Sequence, residues 1–518
     1  MLGSVKILKS LFMSPSNGFE FSTVTSRDGT SSSRVQPNRR NRYSPFSVTA
    51  MESRQRTKKR TVRQLKKTQN LETQQDDGKE VGDIEDIAFT SHETLKIRAS
   101  MLDWYHRNRR DLPWRRRNSN SSKNEEDEEG RREYAYRVWV SEVMLQQTRV
   151  QTVIDYYNRW MVKWPTLHHL AQASLEEVNE MWAGLGYYRR GRFLLEGAKM
   201  IIAGGGEFPD TVSSLRKVRG IGDYTAGAIA SIAFKEVVPV VDGNVIRVLA
   251  RLKAISDNPK DPVTMKNFWK LAAQLVDPGQ PGDFNQSLME LGATVCTPLN
   301  PTCSSCPVSV QCRALSISKQ DRSVLVTNYP AKVIKAKQRH DFSAVCVVKI
   351  LRGEDKPDAT QSDGEFLLVK RPDEGLLAGL WEFPSVMMNK EANITTRRKA
   401  IDQYLKQSFK LDPKKTCSVV LREDVGGFVH VFTHIRLQIY VEFLSLHLKG
   451  GMHDLIKEQD IETRPWKLVD DKVLSNLGLT SAVRKVYTMV QKFRENRLSA
   501  TNPVAAGKRI NLKKHRSS

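Results

Sequence analysis

Four of the six cysteines in this 518-residue chain fall in one short stretch: Cys296, Cys303, Cys306 and Cys312, spaced C-x6-C-x2-C-x5-C. Four thiolates so close in sequence can wrap a single tetrahedral metal ion or an iron–sulfur cluster. Disulfides are a poor reading, because the spacing is too tight for a stapled fold and nothing points to secretion. A zinc knuckle usually uses two paired C-x2-C units, and only one is present here. Cys346 and Cys417 lie outside the cluster and read as ordinary buried thiols.

Two carboxylates and a glycine turn form the second set of candidates. In Tyr136-Arg137-Val138-Trp139-Val140-Ser141-Glu142-Val143-Met144-Leu145-Gln146-Gln147-Thr148, a 3.6-residue repeat places Glu142 on one face with Val138 and Leu145. Apolar flanks would desolvate the carboxyl and raise its pKa toward neutrality, as a general acid requires. Taken alone, the helix favours a plain surface glutamate. Val218-Arg219-Gly220-Ile221-Gly222 lies between two helical stretches, Pro209–Lys217 and Tyr224–Phe234. Glycines there free φ and let backbone N–H groups approach a phosphate at the second helix's N-terminus. Val240-Val241-Asp242-Gly243-Asn244 follows 20 residues after Gly222 and sets an aspartate in an apolar frame.

The surrounding chain must position these groups. Residues 93–315 are helical in pattern and poor in β alternation, with an apparent surface loop at 118–133; an all-α domain is expected. Residues 316–340 read as a linker. Strand-like density at Ser343–Leu351, Glu365–Lys370 and Gly427–Phe443, with a last helix at Ser481–Arg497, makes 341–497 an α+β domain. Residues 1–92 form a polar tail read as disordered, and 498–518 a basic one. The first 50 residues hold only Glu20 and Asp28 as acids, which suits a mitochondrial or plastid transit segment as well as a plain tail, with Met51 available as a second start. The basic block from Arg54 to Lys67 suits nuclear import, loose phosphate contact or simple solvation. With 82 Lys and Arg against 58 Asp and Glu, the formal charge is +24, which favours a polyanionic partner without separating DNA, RNA and anionic membrane. No apolar run reaches about 18 residues, so no membrane span is expected.

Hairpin, aspartate and cysteine loop, in that order, resemble the helix–hairpin–helix DNA glycosylases. The thirteen residues around Glu142 resemble those of MutY-type adenine DNA glycosylases, in a eukaryotic, plant-like form. The resemblance implies one [4Fe-4S] cluster per chain on the four cysteines. It further implies that Glu142 protonates adenine while an ionised Asp242 stabilises an oxocarbenium-like state. Gly220-Ile221-Gly222-Asp223-Tyr224-Thr225-Ala226 carries Tyr224 where endonuclease III relatives have a nucleophilic lysine, so hydrolysis without strong strand cleavage is expected and Tyr224 reads as a wall of the site. By the same resemblance Gly220, Gly222, Gln147 and Asn244 meet DNA, Gln147 filling the gap left by the flipped adenine. Trp114, Arg110 and Gln286 line the adenine pocket, and Tyr187 of Gly184-Leu185-Gly186-Tyr187-Tyr188 wedges beside 8-oxoguanine.

Lys370-Arg371-Pro372 through Gly379-Leu380-Trp381-Glu382-Phe383-Pro384 resembles the Nudix-like domain of the same family, with Phe432, Thr433 and His434 as 8-oxoguanine readers. Asn389–Ala400 lacks the metal-binding R-E-x-x-E-E run, so this domain should bind without hydrolysing nucleotides. The expected substrate is duplex DNA with an A:8-oxoguanine or A:G pair, met by a monomer, mainly in the nucleus, with repair or replication proteins docking on the linker. An endonuclease III-like bifunctional glycosylase and a non-catalytic damage-binding protein are the alternative readings.

Overall fold

The computed structural model describes residues 87–115, 127–332, 337–352, 363–372, 374–412, 415–449 and 464–501. The transit and nuclear-import readings, and the basic C-terminal tail beyond 501, lie outside the described residues. Among the described residues, twelve α-helices make the first half: α1 (Ser91–Asn108), α2 (Glu128–Leu145), α3 (Val150–Lys163), α4 (Leu167–Gln172), α5 (Leu175–Trp182), α6 (Arg189–Ala203), α7 (Val212–Leu215), α8 (Asp223–Phe234), α9 (Gly243–Lys253), α10 (Pro262–Leu275), α11 (Pro281–Thr294) and α12 (Arg313–Gln320). Many begin on side-chain caps: Thr90 and Ser174 close capping boxes, and Asp261 caps α10 ahead of Pro262. Each such cap is worth about 1 kcal/mol.

Two expectations change here. The loop expected over 118–133 is helical from Glu128: Asp127 caps the helix, Glu128 and Glu129 favour its positive end, and Arg132 pairs with Glu128 one turn on. The helix expected over Pro209–Lys217 shrinks to the single turn of α7, and the rest is turn.

The helical half has two cores. Trp139, Trp160, Trp182 and Ile229 centre one, built on α2–α8; Tyr105, Leu249, Phe268 and Phe284 centre the other, on α1 and α9–α11. Candidate site residues come from both, so the site lies where the cores meet.

The second half is a seven-stranded sheet: β1 (Arg339–Leu351), β2 (Gly364–Lys370), β3 (Trp381–Glu382), β4 (Ser385–Met388), β5 (Cys417–Val431), β6 (Ile435–Leu448) and β7 (Trp466–Val469). The path runs β3-β2-β1-β6-β5, with β4 on β1 and β7 on β2; among the described strands only β1 and β6 pair in parallel. Helix α13 (Ile394–Phe409) covers Cys346, Val348 and Ile350 on one face. Helices α14 (Asp471–Asn476) and α15 (Ser481–Thr501) cover Val347, Phe366 and Phe443 on the other. Both faces of β1 are buried, which is why its sequence is a nearly unbroken apolar run. The stretch Gly427–Phe443 is two strands, not one: the chain reverses at Phe432–His434, closed by Phe432 N–H donating to Ile435 O at 2.8 Å. The expected linker likewise holds most of α12 and the start of β1.

The halves dock directly. Leu380 belongs to the first helical core, Lys370 pairs with Glu176 at 3.0 Å, and Tyr188 Oη donates to Leu479 O at 3.4 Å. Gly478 approaches α5 so closely that a Cβ would lie 2.4 Å from Glu180 Cα. No helix among the described residues is long and apolar enough to cross a membrane.

Candidate active site

Helix α2 is buried on nearly every side from Ala135 to Met144, and Glu142 goes in with it, 6% exposed. Burial pushes its carboxyl up to about 7, against a hydrogen bond from Tyr224 that lowers it; the nearby Asp242 charge raises it further and Arg115 lowers it. The surface-glutamate reading of this helix is therefore excluded. Tyr224, in the first turn of α8, donates to Glu142 Oε2 at 2.5 Å and lies 3.4 Å from Met289 Sδ of α11. Burial, and the charges of Glu142 and Asp242, hold its phenol well above its usual value.

Asp242 is the N-cap of α9. Its Oδ1 accepts from the main-chain N–H of Asn244 at 2.9 Å and of Val245 at 2.7 Å, and its Oδ2 from the Asn244 amide at 2.8 Å. Burial raises its pKa while these three donors lower it, leaving it above the usual carboxylate value. Burial thus raises both acids of the expected pair, an uncharged Glu142 and an ionised Asp242. What separates them is hydrogen bonding, three N–H donors on Asp242 against one phenol on Glu142, and only the first set is built to hold a carboxylate. Asn244, expected on DNA, spends its amide on Asp242 and accepts from Arg247 Nη2 at 2.8 Å.

Of the pocket residues, Trp114 is buried edge-on against Tyr157, and Gln286 is buried on α11 one turn before Glu290. Arg110 and Arg115 both grip Glu290, each at 2.7 Å, and although burial opposes it, the two guanidinium groups hold that carboxyl down to about 2. Arg115, Met289 and Glu290 were not foreseen. No local signal could have found this ion pair, since its partners are 175 and 180 residues apart.

Gly220 has φ +85°, and a Cβ there would meet Phe193 Cβ at 2.6 Å, so the hairpin needs glycine both for conformation and for room. Gly222 is the N-cap of α8 and offers no side chain, which leaves first-turn N–H groups for an anion. Arg189 and Arg219 lie 4.8 and 5.0 Å from the Phe193 ring beside it. Gln147 and Tyr187 are exposed, and both hold left-handed backbone, φ +57° and +48°. Tyr187 Oη lies 2.8 Å from Thr433 Oγ1, so the structure brings Tyr187 of one half onto the β5–β6 tip of the other. At that tip Phe432 packs against His430, ring centroids 4.6 Å apart, and His434 O accepts from Arg339 N–H at 2.9 Å.

The cysteine loop folds against the second core, with Cys296, Cys306 and Cys312 packed on it. Burial raises Cys306 to about 12, and the neighbouring thiols raise it further. Cys303 and Cys312 are also raised by burial and by nearby thiols. Four thiolates cannot stand together here without compensating positive charge. Arg251, almost wholly buried, supplies part of it, donating to Cys296 Sγ at 3.2 Å. Among the described residues no three His, Cys, Asp or Glu are grouped as ligands of a single metal ion. The donor set, converging and all sulfur, fits a polynuclear iron–sulfur group.

Fold and site together define a base excision repair protein. Residues 140–274 match the HhH-GPD superfamily base excision DNA repair protein family and residues 359–489 the NUDIX domain. The adenine DNA glycosylase of Arabidopsis thaliana is 63% identical over 426 residues, 78% of this chain and 66% of that protein. That of Mus musculus is 43% identical over 437 residues, 77% of this chain and 78% of that one; the Homo sapiens protein is 46% identical over 391 residues, 68% of each. The match thus spans just under two thirds of the Arabidopsis protein's length. The chain belongs to the adenine DNA glycosylases.

Proposed function

We propose that the chain hydrolyses the N-glycosidic bond of adenine paired with 8-oxoguanine or guanine in duplex DNA. The observation that carries this is the buried Glu142, its carboxyl raised to about 7, hydrogen-bonded to Tyr224 and close to Asp242. Glu142 gives its proton to a ring nitrogen of the flipped adenine, so the base leaves neutral. Asp242, kept a carboxylate by its three N–H donors, faces the developing positive charge on the sugar. Water then adds to C1′ and loses a proton, completing hydrolysis. A phenol rather than an amine stands at position 224, so no Schiff base forms there and the enzyme is monofunctional.

Gly220 and Gly222 seat a phosphate, Trp114, Arg110 and Gln286 bound the adenine pocket, and Gln147 enters the gap. Tyr187, Phe432, Thr433 and His434 read the opposite base, a reading supported by the Tyr187–Thr433 contact. Asn244 acts on DNA through Asp242, by orienting it. Cys296, Cys303, Cys306 and Cys312 hold one [4Fe-4S] cluster, which when bound would tie the loop together and could exchange electrons. One chain meets duplex DNA in the nucleus, and the 316–340 segment, with Leu325 exposed, is where repair or replication proteins would dock.

The test is single-turnover adenine release from a duplex with one A:8-oxoguanine pair, wild type against Glu142→Gln. A fall of about 10²- to 10⁴-fold with duplex binding retained is expected. A well-folded, cluster-loaded wild type that binds the duplex and releases no adenine would mean a damage-binding scaffold instead.

A further inference from the structure

Arg190, in the first turn of α6, is 9% exposed and makes no ion pair among the described residues. A buried cation without a counter-charge is unfavourable unless neutral acceptors surround it. Arg190 has six. Nη1 donates to the main-chain oxygens of Val143, Met144 and Gln146 at 2.9, 3.0 and 2.5 Å. Nη2 donates to Thr148 Oγ1, Leu185 O and Gly186 O at 3.2, 3.3 and 3.1 Å. The first group includes carbonyls at the C-terminus of α2, which have no partner within the helix and form the negative end of its dipole. Burial draws the guanidinium down to about 10, with Tyr187 opposing.

The two sets of acceptors belong to two segments with a common oddity. Gln146 O and Thr148 Oγ1 flank Gln147, and Gly186 O immediately precedes Tyr187; these are exposed non-glycine residues with left-handed backbone. Such conformations persist only where the surroundings over-determine them. Arg190 supplies that constraint at both places, and its guanidinium carbon also lies 5.4 Å from the Tyr187 ring centroid. A lysine could not replace it, since one ammonium has three donors and no planar fork.

We propose that Arg190 is a positioning residue that couples Gln147 to Tyr187, so that filling the adenine gap and probing the opposite base occur as one event. This rests on the roles proposed above for Gln147 and Tyr187. When one wedge is displaced, the shared guanidinium shifts and the other loses its seat.

The experiment is a double-mutant cycle on the full chain, read as single-turnover adenine release from A:8-oxoguanine duplex at subsaturating enzyme. Gln147→Ala, Tyr187→Ala and the pair are compared with Arg190 present and in Arg190→Lys. With Arg190 present, the pair should lose about 10-fold less than the product of the single losses, the size expected of residues sharing a partner. In Arg190→Lys the losses should multiply. A purely structural arginine would lower every rate and leave the coupling untouched, and that result overturns the proposal, as does simple multiplication in the wild type. If neither single substitution changes release, the wedge reading itself falls and takes the proposal with it. Thr148→Val removes one acceptor while keeping the shape and should weaken the coupling about 3-fold. Should Arg190→Lys not fold, undiminished coupling in Thr148→Val overturns the proposal.

Discussion

Two buried glutamates, Glu442 in the sheet half and Glu142 in the helical half, are treated in opposite ways. In the sheet half Glu442 is met by Arg398 at 2.6 Å and Arg422 at 2.8 Å, and the more exposed Asp471 and Asp424 pair with Arg494 at 2.9 Å and Arg397 at 2.8 Å. Arg397 and Arg398 lie on α13. In the helical half Glu142 makes no ion pair and accepts only a phenol, although Arg115, spent on Glu290, is near enough to be felt. A matched carboxylate is a strut and an unmatched one is a reagent. The sheet half neutralises Glu442 with two arginines, while the helical half does the same for Glu290 but leaves Glu142 without a counter-charge.

Glu142 should break this comparison most visibly. Its folded carboxyl is raised to about 7 from 4.5, so the folded state holds a proton that the unfolded chain has released. Ionisation therefore costs stability as pH rises from about 4.5 to 7, and adenine release should fall as pH climbs through 7. Glu142→Gln should lose that pH dependence and unfold at higher temperature at pH 8, a gain of up to about 3 kcal/mol; an unchanged or lowered melting temperature would contradict the burial argument. Glu290→Ala should act oppositely, leaving Arg110 and Arg115 unpaired beside the site and lowering stability by about 3 kcal/mol in denaturant titrations, with adenine release reduced as well. Glu442→Gln sharpens the contrast: a loss of about 1–2 kcal/mol is expected, with the rate of adenine release at saturating enzyme unchanged. The smallest effect belongs to the seam between the halves. Thr433→Val should cost about 1 kcal/mol or less in binding A:8-oxoguanine duplex, and Tyr187→Phe should add nothing on top of it, because both remove the same hydrogen bond.

Legibility in the sequence followed the range of the interactions. Glu142 could be placed on an apolar helix because its neighbours at 138 and 145 are local, and Asp242 was flagged by its apolar frame and glycine. The cap that Asp242 forms, and its claim on Asn244, needed only a step of two or three residues, yet a resemblance that assigned Asn244 to DNA obscured it. The Phe432–His434 reversal was legible only through the resemblance to a recognition loop, because period-two alternation runs through a tight turn without a break. Glu290 and its two arginines were out of reach, as no pattern spans that much intervening chain. Left-handed Gln147 and Tyr187 carry no compositional mark at all, since neither is Gly or Asn.

Gly478 gives the seam a mechanical meaning. The β5–β6 tip stands at the end of strands 14–15 residues long, a reach of about 45 Å at 3.3 Å per residue. Where that tip meets Tyr187 depends on the seam beside it, which includes the contact of Gly478 with Glu180 and the Tyr188–Leu479 hydrogen bond. A methyl group at Gly478 would press the halves apart by about 1 Å in a close-packed seam, enough to stretch the hydrogen bond between Thr433 and Tyr187 with both residues intact. Blindness to the damaged base could thus arise from a substitution that touches neither DNA nor any residue that reads it.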